Sequence, residues 1–404
     1  MLLPWKKSLI KDKHWKTITM QNNKRVLTGT HFEMGNWACA EGAIAVGCNF
    51  AAGYPITPAS EVANRLAARL PHVGGTFFQT EDEISAICSA IGASWAGCKA
   101  MTVTSGPGIS LMQENIGFAV STETPLVIVD VQRFGPSTGV PSVGLAGDIV
   151  QVARGSHGDY QIIALCPESP QEIFEMTIRA FNLAETYRVP VFLMTDGFIG
   201  HMREQVIIPE EDQIEIKQRR IAEPAASVLD RQDFLDVNVA PMPVFGQALK
   251  AHVTSSCHDE HGMRNLSDPA VMHKYAMRPI EKILSHREDI VQVQVDCNNA
   301  RIAIVTYGTV SRSARATASL ARKAGLEVST LRMLTCWPFP DKEIQQLAED
   351  VDYMLVLENN TGQLYPYIKA EAAHASHVSF LGPQTLGQIH DPEFVLSYIK
   401  EMIA

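Results

Sequence analysis

The sequence predicts an α/β protein in which a parallel sheet is covered on both faces by helices. Three observations support this fold class. Continuous apolar runs, typical of buried strands, occur at 100–104, 126–131 and 190–195. A helical pattern at 171–186 precedes the third run, and the same alternation of strand and helix restarts at 302. Strands that alternate with helices in this way indicate a parallel sheet buried on both faces.

The remaining elements follow in chain order. Small residues dominate 37–52, which we interpret as a tightly packed helix. From 206 to 295 the alternation is lost, and a charged stretch gives way to segments rich in Pro, His and Ser. After this stretch, apolar runs at 302–307, 326–331 and 353–357 predict the strands of a second, smaller α/β domain.

These patterns divide the chain into four segments. We expect a basic N-terminal tail at 1–28, a first α/β domain at 29–205, an excursion across the surface at 206–295, and a second α/β domain at 296–404. The tail lacks the apolar core and the cleavage site of a secretory signal, so we interpret it as a solvated extension.

Composition and charge exclude several classes of function. The net charge of -10 disfavours binding to the phosphate backbone of nucleic acids. No apolar run has the length needed to span a bilayer, so we expect a soluble cytoplasmic chain without a membrane partner. No two of the eight cysteines are separated by two residues, which argues against a zinc ribbon or an iron–sulfur cluster on this chain. No metal site is therefore expected.

The segment YPITPAS at 54–60 is the first candidate for chemistry. The prolines on either side of Thr57 fix the backbone, and a strand end at this point would present the Thr57 hydroxyl to a ligand. A proline-rich turn followed by a helix cap explains the same residues, and taken alone that interpretation is the stronger one.

Three acidic residues, Glu81, Asp82 and Glu83, precede a helix rich in Ala and Gly. Carboxylates at a helix N-terminus complement the helix dipole, so capping is the default interpretation. Small residues along this helix also let another backbone approach closely. A carboxyl group beside such an apolar contact would have a raised pKa.

Two further segments lie at the carboxyl ends of predicted strands, where catalytic groups of parallel sheets gather. Arg133 follows the run at 126–131, and its guanidinium would suit a substrate carboxylate, although an arginine in an exposed loop is equally common. The glycine-rich turn at 105–108 lacks the lysine and the spacing of a phosphate-binding loop, so it is a weak phosphate site by itself.

Two polar clusters match no standard pattern. His252, Cys257, His258 and His261 are residue types that bind metals, but their spacing fits no zinc motif, and we expect a polar loop. The segment RGSHGDY at 154–160 fits a catalytic cluster and a structural turn about equally.

Taken together, five segments resemble the alpha subunit of the 2-oxoacid:ferredoxin oxidoreductases. The segments are YPITPAS (54–60), FQTEDEISA followed by GASWAG (78–97), TSGPGISLM (104–112), VDVQR (129–133) and ENNTGQL (358–364). The resemblance extends over about residues 33–404. Their order along the chain makes it specific for the family.

Within that family, several segments are most similar to the 2-oxoglutarate enzymes. They are AEGA at 40–43, EDEI at 81–84 with GASWAG behind it, HGD at 157–159 and HDE at 258–260. One segment departs from the pattern. Gly144-Leu145-Ala146 stands where the resemblance leads us to expect a polar stretch with Gln.

The resemblance implies a more specific fold. Residues 29–205 would form the pyrimidine-side domain of a thiamine-diphosphate-binding fold, a parallel sheet with helices on both faces. Residues 296–404 would form an α/β domain like the C-terminal domain of transketolase.

The resemblance also implies roles for individual residues. Glu83 would contact N1′ of the cofactor pyrimidine, with Glu81 as the alternative if the alignment shifts. Thr57 would lie near the substrate and the cofactor, and Arg133 would bind the carboxylate of the 2-oxo acid. The remaining residues expected to contact the cofactor are Pro58, Gly106 and Gly108.

The implied cofactors and partners lie mostly on other chains. Thiamine diphosphate would be shared with a beta subunit that holds the diphosphate and Mg²⁺, while [4Fe-4S] clusters would lie on partner subunits. Because no CoA-facing domain is fused to this chain, we expect a separate gamma subunit and a ferredoxin-like delta subunit. Coenzyme A would accept the acyl group, and ferredoxin would accept the electrons.

The implied activity is oxidative decarboxylation of 2-oxoglutarate to succinyl-CoA, or the reverse reaction. Pyruvate and branched-chain 2-oxo acids are alternative substrates. A thiamine enzyme without a redox step and a non-catalytic scaffold are alternative functions. A 2-oxoglutarate site also needs a cation for the distal carboxylate, and Arg154 or the beta subunit would supply it.

Overall fold

A computed structural model describes residues 24–223, 239–246, 253–296, 300–375 and 377–404. Most of the expected N-terminal tail and His252 lie outside the described residues. Within the described part of the chain, no helix is long and apolar enough to cross a membrane.

The secondary structure alternates between strands and helices as predicted. The strands are β1 (Gly29–Met34), β2 (Phe50–Gly53), β3 (Thr76–Gln79), β4 (Ala100–Thr104), β5 (Leu126–Gln132), β6 (Ile163–Leu165), β7 (Pro190–Asp196), β8 (Arg203–Ile208), β9 (Val293–Asp296), β10 (Ile302–Tyr307), β11 (Ser329–Met333), β12 (Thr335–Trp337), β13 (Tyr353–Leu357) and β14 (His377–Leu381). The α-helices are α1 (Gly35–Ala45), α2 (Ser60–Arg69), α3 (Glu83–Trp95), α4 (Gly106–Ser121), α5 (Ile149–Arg154), α6 (Pro170–Tyr187), α7 (Gly197–His201), α8 (Pro269–Leu284), α9 (Arg287–Ile290), α10 (Ser311–Lys323), α11 (Asp341–Asp350), α12 (Tyr365–Glu371) and α13 (Pro392–Ile403).

The first domain is built on a seven-stranded sheet with the order β12-β6-β7-β5-β4-β2-β3. All neighbouring strands are parallel except β12, which pairs antiparallel to β6. Separate hydrophobic clusters cover its two faces, so β5 and β7 are buried along their whole length. This burial on both faces explains why the central strands are continuous apolar runs in the sequence.

The second domain is built on a five-stranded sheet with the order β14-β13-β10-β11-β9, in which only β9 is antiparallel to its neighbour. One strand, β12, leaves this part of the chain and joins the edge of the first sheet. The hydrophobic core is therefore continuous from the first sheet into one face of the second sheet.

The α/β prediction is confirmed, with three differences in the elements. The helix predicted at 37–52 is wrong in its second half, because Gly47, at a φ of 92°, reverses the chain and β2 follows. The strand predicted at 326–331 begins later, at Ser329. The segment 206–295, predicted as an excursion across the surface, contains the 16-residue helix α8. The limits of the domains stay a prediction.

Parallel strands bring their carboxyl ends to one edge of the first sheet. The ends of β2, β4 and β5 are followed by YPITPAS, by the glycine-rich turn and by Arg133. Three segments that are far apart in sequence therefore meet at the edge where ligands of such sheets bind.

Candidate active site

The three acidic residues at the start of α3 have different surroundings. The Asp82 side chain accepts a hydrogen bond from the Ser85 N–H at 2.6 Å, so Asp82 caps the helix. Glu81 is exposed, whereas Glu83 turns inward and is only 5% exposed. Since Asp82 already satisfies the helix terminus, the Glu83 carboxyl is free for another function.

Gly108 makes room for the Glu83 carboxyl. A methyl group at Gly108 would lie 2.8 Å from Oε1 of Glu83 and 2.0 Å from Oγ1 of Thr104. Both distances are below any normal contact, so no larger residue fits without displacing Glu83. The glycine-rich turn thus allows the start of α4 to pack closely against α3.

Burial sets the charge state of Glu83. Loss of solvent raises the pKa of its carboxyl, and the charge of Asp82 raises the pKa further, while Arg133 opposes both effects. A carboxyl group with a raised pKa holds a proton more readily near neutral pH. It can therefore share a proton with a ring nitrogen placed against it.

Arg133 ties two loops together at the end of β5. Its Nη1 donates to the Thr57 carbonyl at 2.7 Å, and its Nη2 donates to the Thr138 carbonyl at 3.1 Å. The side chain is 8% exposed, and its Nε has no hydrogen-bond partner among the described residues. A buried donor without a partner is suited to an anionic ligand, because it would otherwise remain unsatisfied.

The YPITPAS segment is fixed from behind. Asn36, on α1, donates its side-chain amide to the Pro58 carbonyl at 2.8 Å. Pro58 is buried by this packing, whereas Thr57 is exposed at the sheet edge. Sequence reasoning missed Asn36, since no local pattern links α1 to this turn.

A cavity of about 470 Å³ opens beside Arg133. Its walls come from the start of α4, the end of β5, the segment 144–151 and the loop after β13. The lining residues are Gly106, Pro107, Ser110, Arg133, Gly135, Pro136, Ser137, Leu145, Gly147, Asp148, Gln151, Asn360, Thr361, Gln363 and Leu386. Both domains therefore contribute to the site.

The second domain reaches the cavity through the ENNTGQL loop. Glu358 holds the loop in shape, because its carboxylate accepts hydrogen bonds from the backbone N–H groups of Leu364 and Tyr365. Asn360 then donates to the Ala146 carbonyl at 2.7 Å. This bond fastens the segment that departs from the expected family pattern, and it places Leu145 on the cavity wall.

Several predicted candidates lie elsewhere. The Arg154 guanidinium packs over the Trp337 ring, 5.5 Å from its centroid, and does not line the cavity. His157 and Asp159 line a separate cavity of about 310 Å³ along the C-terminal half of α4. Among the residues that the structure describes, no group of three His, Cys, Asp or Glu side chains is arranged to hold a metal ion.

The structure adds two carboxyl groups that sequence reasoning missed. Asp130 is completely buried in β5, and Asp148 lines the cavity directly before α5. One signal was present in the sequence, since Asp130 interrupts the otherwise apolar run LVIVDV. A charged residue inside a buried strand usually has a specific partner.

Comparison with protein families gives two matches. Residues 41–278 match the family described as pyruvate flavodoxin/ferredoxin oxidoreductase, thiamine diphosphate-binding. Residues 300–393 match the pyruvate:ferredoxin oxidoreductase core domain II.

Similar sequences carry the names of enzyme subunits. The 2-oxoglutarate synthase subunit KorA of Methanothermobacter marburgensis is 46% identical over 93% of this chain and 100% of the relative. The subunit of the same name from Methanocaldococcus jannaschii is 46% identical over 90% of this chain and 97% of the relative. The ketoisovalerate oxidoreductase subunit VorB of Methanothermobacter thermautotrophicus is 37% identical over 83% of this chain and 88% of the relative.

Two solved structures are similar in fold. A 2-oxoglutarate:ferredoxin oxidoreductase from Magnetococcus marinus, with 2-oxoglutarate, coenzyme A and succinyl-CoA bound, gives a TM-score of 0.87 at 32% identity. The match covers 93% of this chain and 66% of that chain. A split-gene transketolase gives a TM-score of 0.53 at 10% identity over 92% of this chain and 98% of that chain, which shows a shared fold alone.

Proposed function

The chain belongs to the pyruvate flavodoxin/ferredoxin oxidoreductase family, and from this premise we propose that it is the alpha subunit of a 2-oxoglutarate:ferredoxin oxidoreductase. The complex would convert 2-oxoglutarate and coenzyme A to succinyl-CoA and carbon dioxide and pass electrons to ferredoxin, or run in reverse.

The observation that carries the proposal is the placement of Glu83. Its buried carboxyl lies against Gly108, where only a glycine permits the contact. A buried carboxyl of this kind, next to a cavity with an unsatisfied arginine, fits the pyrimidine of thiamine diphosphate. The family match to a thiamine-diphosphate-binding domain supports the same assignment.

Each side chain then has a defined task. When bound, thiamine diphosphate supplies a carbon nucleophile and an electron sink for decarboxylation of a 2-oxo acid. Glu83 would hold a proton at N1′ of the pyrimidine, and Gly106, Gly108 and Pro58 would shape the space around the ring. The Thr57 hydroxyl, exposed at the sheet edge, would face the substrate and the cofactor.

Arg133 would bind the 2-oxo acid through its carboxylate. Each Nη atom donates one of its two N–H groups to a carbonyl, that of Thr57 or that of Thr138, so the second N–H of each Nη remains for the substrate. Anchoring the carboxylate at this point orients the 2-oxo carbon and excludes water from one side of it. The leaving carbon dioxide would derive from that carboxylate.

The distal carboxylate of 2-oxoglutarate needs another cation. Among the described residues that line the cavity, Arg133 is the one cation, and the Arg154 guanidinium is engaged over Trp337 instead. We therefore assign the second cation to the partner subunit that completes the site. The same beta subunit would hold the diphosphate and Mg²⁺, while the iron–sulfur clusters would lie on partner chains, including a gamma and a delta subunit.

A second candidate function is oxidation of a branched-chain 2-oxo acid. It is favoured by two observations: Leu145 and Leu386 add apolar surface to the cavity, and the ketoisovalerate relative aligns over most of the chain. The two functions differ only in the substrate side chain, so a single assay separates them.

The test is an assay of the complex produced from this chain and its partner subunits. We would measure CoA-dependent reduction of a viologen with 2-oxoglutarate, pyruvate and 2-oxoisovalerate. We expect turnover mainly with 2-oxoglutarate and a decrease of about 10²–10⁴-fold in Glu83→Gln, because the carboxamide cannot exchange a proton.

Glu81→Gln is the matched control, since Glu81 is an exposed carboxyl two residues away. It should keep the activity of the wild type. Full activity in Glu83→Gln would remove the proposed role of Glu83. Absence of viologen reduction with every acid, in a complex loaded with cofactor, would contradict the proposed function itself.

A further inference from the structure

One carboxyl group on the cavity wall has no task in the proposed function. Asp148 lines the cavity with Arg133, directly before α5. Its side chain makes no capping hydrogen bond to that helix, so the usual structural role of an aspartate at this position is missing.

The Asp148 carboxyl is held in place from two sides. Its backbone N–H donates to Oε1 of Gln132 at 3.1 Å, which fixes the residue against the end of β5. A methyl group at Gly106 would lie 3.0 Å from Oδ2 of Asp148 and 3.1 Å from Oδ1. The carboxyl therefore rests on the first residue of α4, at the end of the cavity that holds Arg133.

Behind Asp148 lies a second carboxyl group with no other partner. Asp130 is 0% exposed, and no N–H group or hydroxyl group of the described residues donates to either of its oxygens. Its hydrogen-bonding neighbour is the carboxyl of Asp148. Two carboxyl groups in contact without other donors cannot both be ionised, so the pair holds a proton between them.

Few charged groups surround Asp148. Of the groups described around it, Asp130 and Arg133 carry charge, and both belong to the end of β5. The start of α4, the first turn of α5 and the ENNTGQL loop face the cavity with uncharged residues: Gly106, Pro107, Ser110, Gln151, Asn360, Thr361 and Gln363. The Glu358 carboxylate is directed at backbone N–H groups of its own loop.

Burial raises the pKa of Asp148 to about 6 against the opposing effect of Arg133, and burial raises the pKa of Asp130 well above its usual range. Among the described residues that line the cavity, Asp148 is the group that can gain or lose a proton near neutral pH. The chemistry of the proposed substrate can use such a group at the oxygen of the 2-oxo group.

The oxygen of the 2-oxo group begins as a ketone and ends as the carbonyl of a thioester. When a nucleophile adds to the 2-oxo carbon, the C=O π electrons move to this oxygen, which then takes a proton. When the thioester carbonyl forms, the same O–H bond breaks and the proton is returned. The group that lends the proton must take it back, and a pKa near the working pH permits both transfers.

Resting on the proposed function, we infer that Asp148 is a further catalytic residue that lends a proton to the oxygen of the 2-oxo group and recovers it. Asp130 is a positioning residue that holds the shared proton and keeps Asp148 directed at the cavity. Over a full cycle the pair gains and loses no net proton, and the electrons leave by the separate route to the iron–sulfur partners.

The experiment compares three variants of the assembled complex: Asp148→Asn, Asp130→Asn and, as a matched control, Asp196→Asn. Asp196 is a buried carboxyl at the end of the neighbouring strand β7 whose pKa is also raised by burial, but it does not line the cavity. For each variant we would measure kcat, KM and their pH dependence with the best 2-oxo acid.

We expect Asp148→Asn to lower kcat by about 100-fold with little change in KM, and to abolish the kinetic pKa near 6. Asp130→Asn should retain substrate binding but shift this pKa downward, because its amide donates to the Asp148 carboxylate without holding a removable proton. Asp196→Asn should leave the pH profile unchanged.

A second readout does not depend on turnover. The infrared difference spectrum of the wild-type complex across the pH range should contain a protonated carboxyl band that is absent in Asp148→Asn and shifted in Asp130→Asn. A wild-type complex that reduces viologen while Asp148→Asn keeps its kcat and pH profile would overturn this inference alone. A wild-type complex that turns over no 2-oxo acid would instead overturn the proposed function.

Discussion

Two regions of the first domain bury charged groups, and they do so in opposite ways. One is the cluster around Glu123, which holds helix α8 against the end of α4. The other is the cavity group, which we define as Arg133 and Asp148 on the cavity wall together with the buried carboxyl groups of Glu83 and Asp130. In the first region cations bind a buried carboxylate, whereas in the second the buried carboxyl groups have no cation of the described residues bound to them.

In the Glu123 cluster the carboxylate is paired with cations. Glu123, which is 4% exposed, accepts hydrogen bonds from Arg278 Nε at 2.6 Å and from Lys282 Nζ at 2.8 Å. Burial alone would raise the pKa of Glu123, but the cations Lys282, Arg188 and Arg278 outweigh it and hold the pKa far below its usual range. Burial also lowers the pKa of Lys282 to about 8.

The cavity group shows the reverse pattern. Among the described residues Arg133 Nε has no acceptor, no N–H group donates to either oxygen of Asp130, and Glu83 is buried with its pKa raised rather than lowered. Incomplete pairing costs stability, so a fold retains it where a ligand completes the set. The contrast therefore distinguishes the cation-bound carboxylate of Glu123 from the carboxyl groups of the candidate site.

The largest expected effect concerns Glu123. Removal of its carboxylate by Glu123→Ala leaves buried Lys282 and Arg278 without their counter-ion, which should lower the free energy of unfolding by about 3–5 kcal/mol. Urea denaturation of the chain would measure the loss. Glu281→Ala, an exposed carboxyl on the same helix α8, should change the stability by less than about 0.5 kcal/mol. A similar small change in Glu123→Ala would show that the cluster does not anchor α8.

A smaller effect is expected at the glycine that receives Glu83. Gly108→Ala places a methyl group in contact with Glu83 and Thr104 and should cost about 1–3 kcal/mol, together with loss of activity in the complex. Gly92→Ala, within the adjacent helix α3, meets no atom within 4 Å and should stabilise the chain by up to about 1 kcal/mol. Thermal unfolding of Gly108→Ala and Gly92→Ala would measure the two changes in stability. A Gly108→Ala chain as stable as wild type would show that Glu83 moves aside at little cost in free energy.

The smallest expected effect is on the pH dependence of stability, to which the two regions contribute with opposite signs. Asp148 has a pKa of about 6 in the folded chain against 3.8 in the unfolded one, so the folded chain binds the extra proton between these values. Relative to Asp148→Asn, wild-type stability should therefore fall as the pH rises from about 4 to 6. We expect a change of about 1 kcal/mol, since the carboxyl is partly open to the cavity.

For Glu123 the sign is reversed, because its pKa is lowered by folding. Relative to Glu123→Gln, the wild-type advantage should be complete above about pH 5 and should be lost as the pH falls below the unfolded value of 4.5. Urea titrations of both variant pairs over the acid range would measure the two slopes. Equal slopes would contradict the distinction between a paired and an unpaired region.

Much of the fold was predictable from local sequence. The strands at 100–104, 126–131 and 302–307 were identified because burial on both faces requires a continuous apolar run. The family segments also predict Glu83 and Arg133 as site residues, and the structure brings the turns that contain them to one sheet edge. The helix predicted at 37–52 is wrong in its second half. Small apolar residues lie on both sides of Gly47, so the composition does not show that the helix ends and a strand follows.

By itself, the sequence determined the α/β class, the family and the segments that meet at the edge of the first sheet. It did so because burial and close backbone approach impose residue types that are visible locally. Tertiary structure alone decided which carboxyl of the acidic triplet turns inward, that Asp130 and Asp148 form a pair, and that Asn360 reaches Ala146 across 214 residues. Such contacts depend on the packing of whole sheets and helices, and no local pattern of residues encodes that packing.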